Sequence, residues 1–152
     1  MRLSKKGEYA LKAMIELALR HNTAQGTEAV QTRAISEKEK IPGKFLEQIL
    51  LELKKAGLLQ SRRGIGGGYN LLEPPDKITL ARIIRTIDGP LAPLSCVSKW
   101  AHITCPREND CGLYSVMLEV RNAISNILEN ITLADVCERT KTPLIINKKN
   151  KK

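Results

Sequence analysis

The chain has 152 residues, enough for one well-buried domain or for a small domain with an attached arm, and its 42% hydrophobic and 27% charged residues are the balance of a globular protein. Aromatics make up only 3%, which argues against a single-stranded nucleic-acid platform built from stacked rings. The formal charge is +9, and residues 1–72 carry 13 Lys/Arg against 7 Asp/Glu, so the basic bias sits in the N-terminal half and suits an acidic partner such as DNA.

The first 22 residues include Arg2, Lys5, Lys6, Glu8, Lys12, Glu16 and Arg20. They lack the uncharged apolar run of a signal peptide or membrane span, so a cytoplasmic chain with no membrane partner is expected. In a reducing compartment four cysteines serve as ligands or redox thiols rather than as disulfides. Ser4–His21 reads as a helix with Leu11, Met14, Ile15, Ala18 and Leu19 as its apolar stripe. Residues 22–30 form a polar loop broken by Gly26, and a short helix over Thr32–Lys38 buries Ala34 and Ile35. After the turn Ile41-Pro42-Gly43 comes a helix over Lys44–Ala56 with Leu46, Ile49, Leu50 and Leu53 on its apolar face, ended by Gly57.

Leu58–Arg63 and Tyr69–Leu72 are strand-like runs joined by Gly64-Ile65-Gly66-Gly67-Gly68, a glycine-rich link that suits a tight hairpin. It is no dinucleotide fingerprint, because Tyr69 stands where the third glycine belongs and a strand follows instead of a helix. A helix over Leu80–Ile87 ends at Asp88-Gly89-Pro90. The stretch from there to Gly112 has little periodicity and holds Cys96, Cys105 and Cys111, and loops of this length are functional or disordered. In the last long helix, Leu113–Ile131, the residues Leu113, Met117, Val120, Ile124, Ile127 and Ile131 repeat at spacings of 4 and 3, a heptad seam that suits self-association into a homodimer. A short helix from Thr132 to Arg139, with Thr132 as N-cap and Asp135 at the third position, is expected to pack beside it. Lys148, Lys149, Lys151 and Lys152 make a basic, solvated tail.

Helix, short helix, turn, helix and glycine-tipped hairpin is the order of a winged helix-turn-helix. The expected class is therefore mainly α with a small β-hairpin wing. The boundaries are a DNA-binding unit at 1–75, a connecting helix at 76–90, a cysteine-rich sensor loop at 91–112, the dimerisation and C-terminal helices at 113–140 and a tail at 141–152. A recognition helix presents its N-terminal residues to base edges in the major groove. Here those are Lys44, Glu47 and Gln48: Gln pairs with adenine, Glu accepts from cytosine, and Lys reaches guanine or phosphate. On the wing, Arg62 and Arg63 stand beside glycines that let the backbone approach DNA.

Four stretches resemble the Rrf-type winged-helix regulators. They are Met1-Arg2-Leu3-Ser4-Lys5-Lys6-Gly7-Glu8-Tyr9-Ala10, Phe45-Leu46-Glu47-Gln48, the wing Arg63-Gly64-Ile65-Gly66-Gly67-Gly68-Tyr69, and Asn130-Ile131-Thr132-Leu133. That family includes an iron–sulfur cluster regulator, a nitric-oxide-sensing repressor, the rhizobial iron regulator and the cysteine-metabolism repressor. The resemblance implies a non-enzymatic bacterial homodimer on a roughly palindromic duplex operator, with Glu47, Gln48 and Arg63 reading bases. Lys44 stands where the iron–sulfur cluster regulator has serine, which points to a different operator preference.

Cys96-x8-Cys105-x5-Cys111 offers three soft thiolates in one loop, apt for an iron–sulfur cluster of 2Fe–2S or 4Fe–4S type, and the family pattern of three cysteines before the dimer helix strengthens that reading. The family's histidine three residues beyond the third cysteine is here Tyr114. In some relatives the remaining ligand is an acidic residue on the partner's first helix, and Glu8 falls at that position. His102 is the alternative fourth ligand, in a set that also suits zinc. Two further readings stay open: a metal-free repressor controlled by a metabolite or partner protein, and a zinc-binding regulator. Trp100 is expected to anchor the loop by packing, and Cys137 to be a small buried residue or a redox thiol.

Overall fold

The structure, a computed structural model, describes residues 3–21 and 29–141. The expected polar loop at 22–28, with Gly26, and the Lys-rich tail at 142–152 lie outside the described residues, as do Met1 and Arg2.

The first helix, α1 (Lys5–His21), is lined on its buried side by Gly7, Ala10, Ala13, Met14, Leu17 and Ala18. This corrects the expected stripe: Leu11, Ile15 and Leu19 are only half-buried, while the small residues Ala10 and Ala13 lie at the centre because several elements close on the helix from different sides. Glu16 is also buried, at 1% exposure. It accepts from Arg20 Nε at 2.7 Å and Lys38 Nζ at 2.5 Å, which ties α1 to the next helix and compensates the buried carboxylate.

That helix, α2 (Thr32–Glu39), ends at Lys40 in a left-handed conformation (φ 53°). The turn is closed by Ile41 N–H donating to Ser36 O and Ser36 Oγ donating to Ile41 O. α3 (Gly43–Lys55) follows and buries Leu46, Ile49, Leu50 and Leu53 completely. It ends as expected at Gly57, whose φ of +73° an L side chain adopts with strain. Gly57 N–H donates to Lys54 O and Leu58 N–H to Leu53 O, so the last carbonyls of α3 are satisfied in a Schellman motif.

The hairpin pairs β1 (Leu59–Arg62) antiparallel with β2 (Gly68–Leu71), in the register Leu59↔Leu71 to Arg62↔Gly68. Val30 adds a single bridge on the other edge, exchanging both backbone bonds with Tyr69 at 2.8 and 2.9 Å. A Cβ on Gly68 would stand 2.2 Å from Val30 O, so this third contact exists only because residue 68 is glycine.

α4 (Leu80–Asp88) starts from Thr79, whose hydroxyl accepts from Arg82 N–H, and buries Ala81, Ile83 and Ile84. The loop that follows contains two short 3-10 turns, Ser95–Val97 and Glu108–Asp110. α5 (Gly112–Asn130) is 19 residues long and so about 28 Å. Only Arg121 and Ser125 of this helix are buried, while Ile124 and Leu128 pack on Ala81, Ile84 and Leu91. α6 (Leu133–Lys141) is set by reciprocal bonds in which Thr132 N–H donates to Asp135 Oδ2 and Asp135 N–H to Thr132 Oγ1. It packs on α1 and the turn at Pro75–Lys77, not beside α5 as expected. Backbone bonds from Leu80 N–H to Ile131 O and from Leu133 N–H to Ile78 O turn the chain back, so Leu133 and Cys137 join the core of the head. The result is a helix-turn-helix with a β wing, onto which the C-terminal helix is folded.

Candidate nucleic-acid interface and cysteine loop

Because Leu46, Ile49, Leu50 and Leu53 fix one face of α3 inward, Lys44, Glu47 and Gln48 lie on the opposite, exposed face of its first two turns. No side chain caps this N-terminus; Phe45 and Leu46 N–H donate to Pro42 O, which leaves the N–H groups of Gly43 and Lys44 for an outside acceptor such as a phosphate. Arg62 ends β1 and Arg63 begins the wing turn, both exposed. Lys54 Nζ donates to Ser61 Oγ at 2.6 Å, linking the end of α3 to the wing. Among the described residues no ion pair involves Lys44, Arg62 or Arg63, so their charges remain for an external anion. The wing tip carries a residue that the sequence reasoning missed. Ile65 is fully exposed, flanked by Gly64 and Gly66 of positive φ, so its apolar side chain is left to solvent. Its isolation inside the glycine run was the available signal.

The α5 seam divides into two faces. Leu113, Val120 and Ile127 are exposed, as is Val116 beside them; Met117 and Ile131 are half-buried, and Ile124 turns inward onto α4. A strip of four large apolar side chains is thus uncovered in the single chain, while Ile124 serves the chain's own core because α4 presents Ala81 and Ile84 to it.

All four cysteines are free thiols, the three of the loop half-buried and Cys137 buried. Burial holds the Cys137 thiol above its ordinary pKa, which suits the packing role and not a reactive thiolate. Cys96 sits in the first 3-10 turn, Cys105 donates its N–H to Glu108 Oε1 at 2.8 Å, and Cys111 precedes α5. The donor chemistry, three thiols in one loop, fits an iron–sulfur centre. Among the described residues of the single chain no three His, Cys, Asp or Glu side chains are gathered closely enough to hold a metal ion, and the expected Glu8 ligand would come from a partner subunit. His102 Nε2 lies 3.2 Å from Glu108 Oε1, the same oxygen that accepts the Cys105 N–H. Glu8 is bonded to Lys5 at 2.7 Å and Lys12 at 3.0 Å, and these partners, Lys5 first, hold its carboxyl below the ordinary range. Trp100 is not the expected anchor: it is 73% exposed, with the Arg85 guanidinium 5.3 Å from its ring centre. No helix among the described residues is long and apolar enough to cross a membrane.

Known proteins resemble this chain in sequence and fold. A protein of Rhodobacter capsulatus named as an rrf2-like HTH-type transcriptional regulator is 38% identical over 88% of this chain and 91% of its own length. The HTH-type transcriptional regulator IscR of Erwinia tasmaniensis is 32% identical over 99% of this chain and 87% of its own. The solved structure of CymR, the global cysteine regulator of Bacillus subtilis, superposes with a TM-score of 0.76 at 30% identity, covering 91% of this chain and 97% of that one. These relatives are named as regulators of transcription, not as enzymes. Residues 3–139 match the model of one family, described as an iron-dependent transcriptional regulator, and the chain belongs to it: the Rrf2 family of winged-helix regulators.

Proposed function

We propose that the chain acts in the cytoplasm as a homodimer on a roughly palindromic DNA operator. The reading head is 1–75, and the loop 91–112 with the helix after it couples a signal to the spacing of the two heads. The observation that carries this reading is the exposed N-terminal face of α3 beside a wing whose arginines form no ion pair among the described residues. Glu47, Gln48 and Arg63 read bases, while Lys44 and Arg62 add contacts to phosphate or guanine. The strip Leu113, Val116, Val120 and Ile127, which no element among the described residues covers, supports dimerisation. Anisotropy titrations of a fluorescent duplex test the head: affinity falls steeply with salt, with log K linear in log salt, and Lys44→Ala lowers the slope by about 1. A salt-independent affinity contradicts the assignment.

For the signal we propose that Cys96, Cys105 and Cys111 hold an iron–sulfur cluster once the loop rearranges, with the partner subunit contributing through the position of Glu8. Such a group supplies lability to iron supply and oxidants. The support is the three-thiol donor set and the description of the family model as an iron-dependent regulator; CymR, similar over 91% of the chain, is named as a cysteine regulator and favours the metal-free alternative. An anaerobic absorption spectrum with iron, sulfide and zinc quantified on the same sample decides. Absorbance across about 320–420 nm with matched iron and sulfide supports the cluster. Stoichiometric zinc assigns a zinc site, and a colourless, metal-free protein that resists reconstitution assigns the metal-free reading.

A further inference from the structure

Arg121 is the one buried cationic side chain among the described residues, 8% exposed on α5. Its Nε and Nη1 have no hydrogen-bond partner, and the nearby Arg85 Nε is likewise buried and unsatisfied. The two guanidinium groups line a niche of about 10 Å³, closed by Leu91, Ser98, Lys99 and Trp100, which is room for a single oxygen-sized group. Beside it, sharing Arg85 and Trp100, an open groove runs along Thr86, Pro90 and Ala101.

The charges around the niche do not balance. Glu129 is bonded to Arg85, and Lys99 and Arg121 act on the same carboxylate. Three cations thus face one acid, an excess of two positive charges. Arg82, at the groove's far side, is already paired with Glu73 at 2.7 Å. A buried guanidinium with unmet donors is costly unless an acceptor reaches it, and the acceptor that suits both the fork of donors and the positive excess is a planar carboxylate. The exposed indole of Trp100 supplies a flat wall for the remainder of such a molecule.

We propose that the niche between α4 and α5 binds a small carboxylate-bearing ligand, with an oxygen on Arg121 and Arg85 and its body in the groove against Trp100. The residues that close the niche, Ser98 to Trp100, lie between Cys96 and Cys105, so occupancy holds the cysteine loop on the two helices. The site does not depend on whether the cysteines carry a cluster, or on the DNA-binding reading.

Trp100 is the single tryptophan of the chain, so its indole N–H gives one cross-peak in a proton–nitrogen spectrum. Titrating the full-length protein with benzoate is expected to shift that peak saturably, while uncharged benzyl alcohol leaves it in place. Arg121→Met is expected to weaken benzoate binding at least tenfold. Its helix content and unfolding temperature should be kept or raised, because an apolar chain of similar length replaces an unpaired buried cation. Should that variant fail to fold, Lys99→Met, at an exposed position, is expected to weaken binding severalfold. Absence of a saturable shift, an equal response to benzyl alcohol, or an unchanged midpoint in the folded variant overturns the proposal. So does inorganic phosphate binding as tightly as benzoate, which would make the site a general anion sink. If a carboxylate of a second copy fills the niche, benzoate gives no shift and Arg121→Met weakens the dimer, which also overturns it.

Discussion

The reading head and the loop at 90–111 differ in what fixes them. In the head, local chemistry and long-range packing agree. α3 carries an apolar face that is completely buried, Gly57 closes its end, and the glycines of the wing allow both the turn and the bridge to Val30. In the loop, two single 3-10 turns and a few bonds, such as Ile103 N–H to Ser95 O, are the whole of the regular structure. Its large apolar side chains Trp100 and Ile103 are exposed. Leu91 and Val97 pin its first part, but the stretch beyond them buries little apolar surface and is inexpensive to reorder, which is what a signal-responsive element requires.

Core substitutions measure that contrast most strongly. Leu53→Ala, at a fully buried position of α3, is expected to cost about 2–5 kcal/mol in urea unfolding. Trp100→Ala in the loop is expected to cost about 0.5 kcal/mol or less, as exposed positions usually do. Comparable losses at the two sites would erase the distinction. A second test separates folding from assembly on α5. Val120→Glu combined with Ile127→Glu places charges on exposed positions, so the chain is expected to keep its helix content while its mass in solution falls from two chains to one. Loss of fold in this variant would mean that the strip serves the chain's own core.

On the DNA side, Arg63→Ala is expected to weaken operator binding by about 1–3 kcal/mol and to relax preference at one position, with the unfolding midpoint unchanged because the side chain is exposed. An effect smaller than those at Leu53 and Arg63 is expected at the start of α6. Thr132→Ala removes the N-cap and is expected to cost about 1 kcal/mol. The Thr132 hydroxyl and N–H hold the Asp135 carboxyl below its ordinary value of 3.8. A depressed folded pKa gives a contribution that is present above 3.8 and fades as the pH drops below it, so the difference between Thr132→Ala and the parent should narrow in that acid range. A difference independent of pH there would remove Asp135 from the cap.

What the sequence made legible follows the same division. The helix-turn-helix, the wing and the Thr132 cap rest on residues whose meaning is local: a stripe at helical spacing, a glycine that must adopt positive φ, a hydroxyl three residues before a carboxylate. Docking is not local. The amphipathic pattern of α6 identifies a helix and leaves its partner open, and that partner proved to be α1. Burial of Ala10, Ala13 and Glu16 needed several elements to close on α1 together. The heptad pattern carries no signal for Arg121, whose burial emerges only when α4 and the loop lie against α5. The three cysteines were legible as a donor set, but spacing along an aperiodic loop carries no information on how the thiols are arranged in space.

Selection of bound sequences from a random pool of DNA duplexes, with the mass of the resulting complex measured, tests the central claim most directly. Two half-sites related by inversion, about one helical turn or a multiple of it apart, are expected to be enriched, with two chains per duplex. Enrichment of a single asymmetric element bound by one chain, or no enrichment at all, would contradict it.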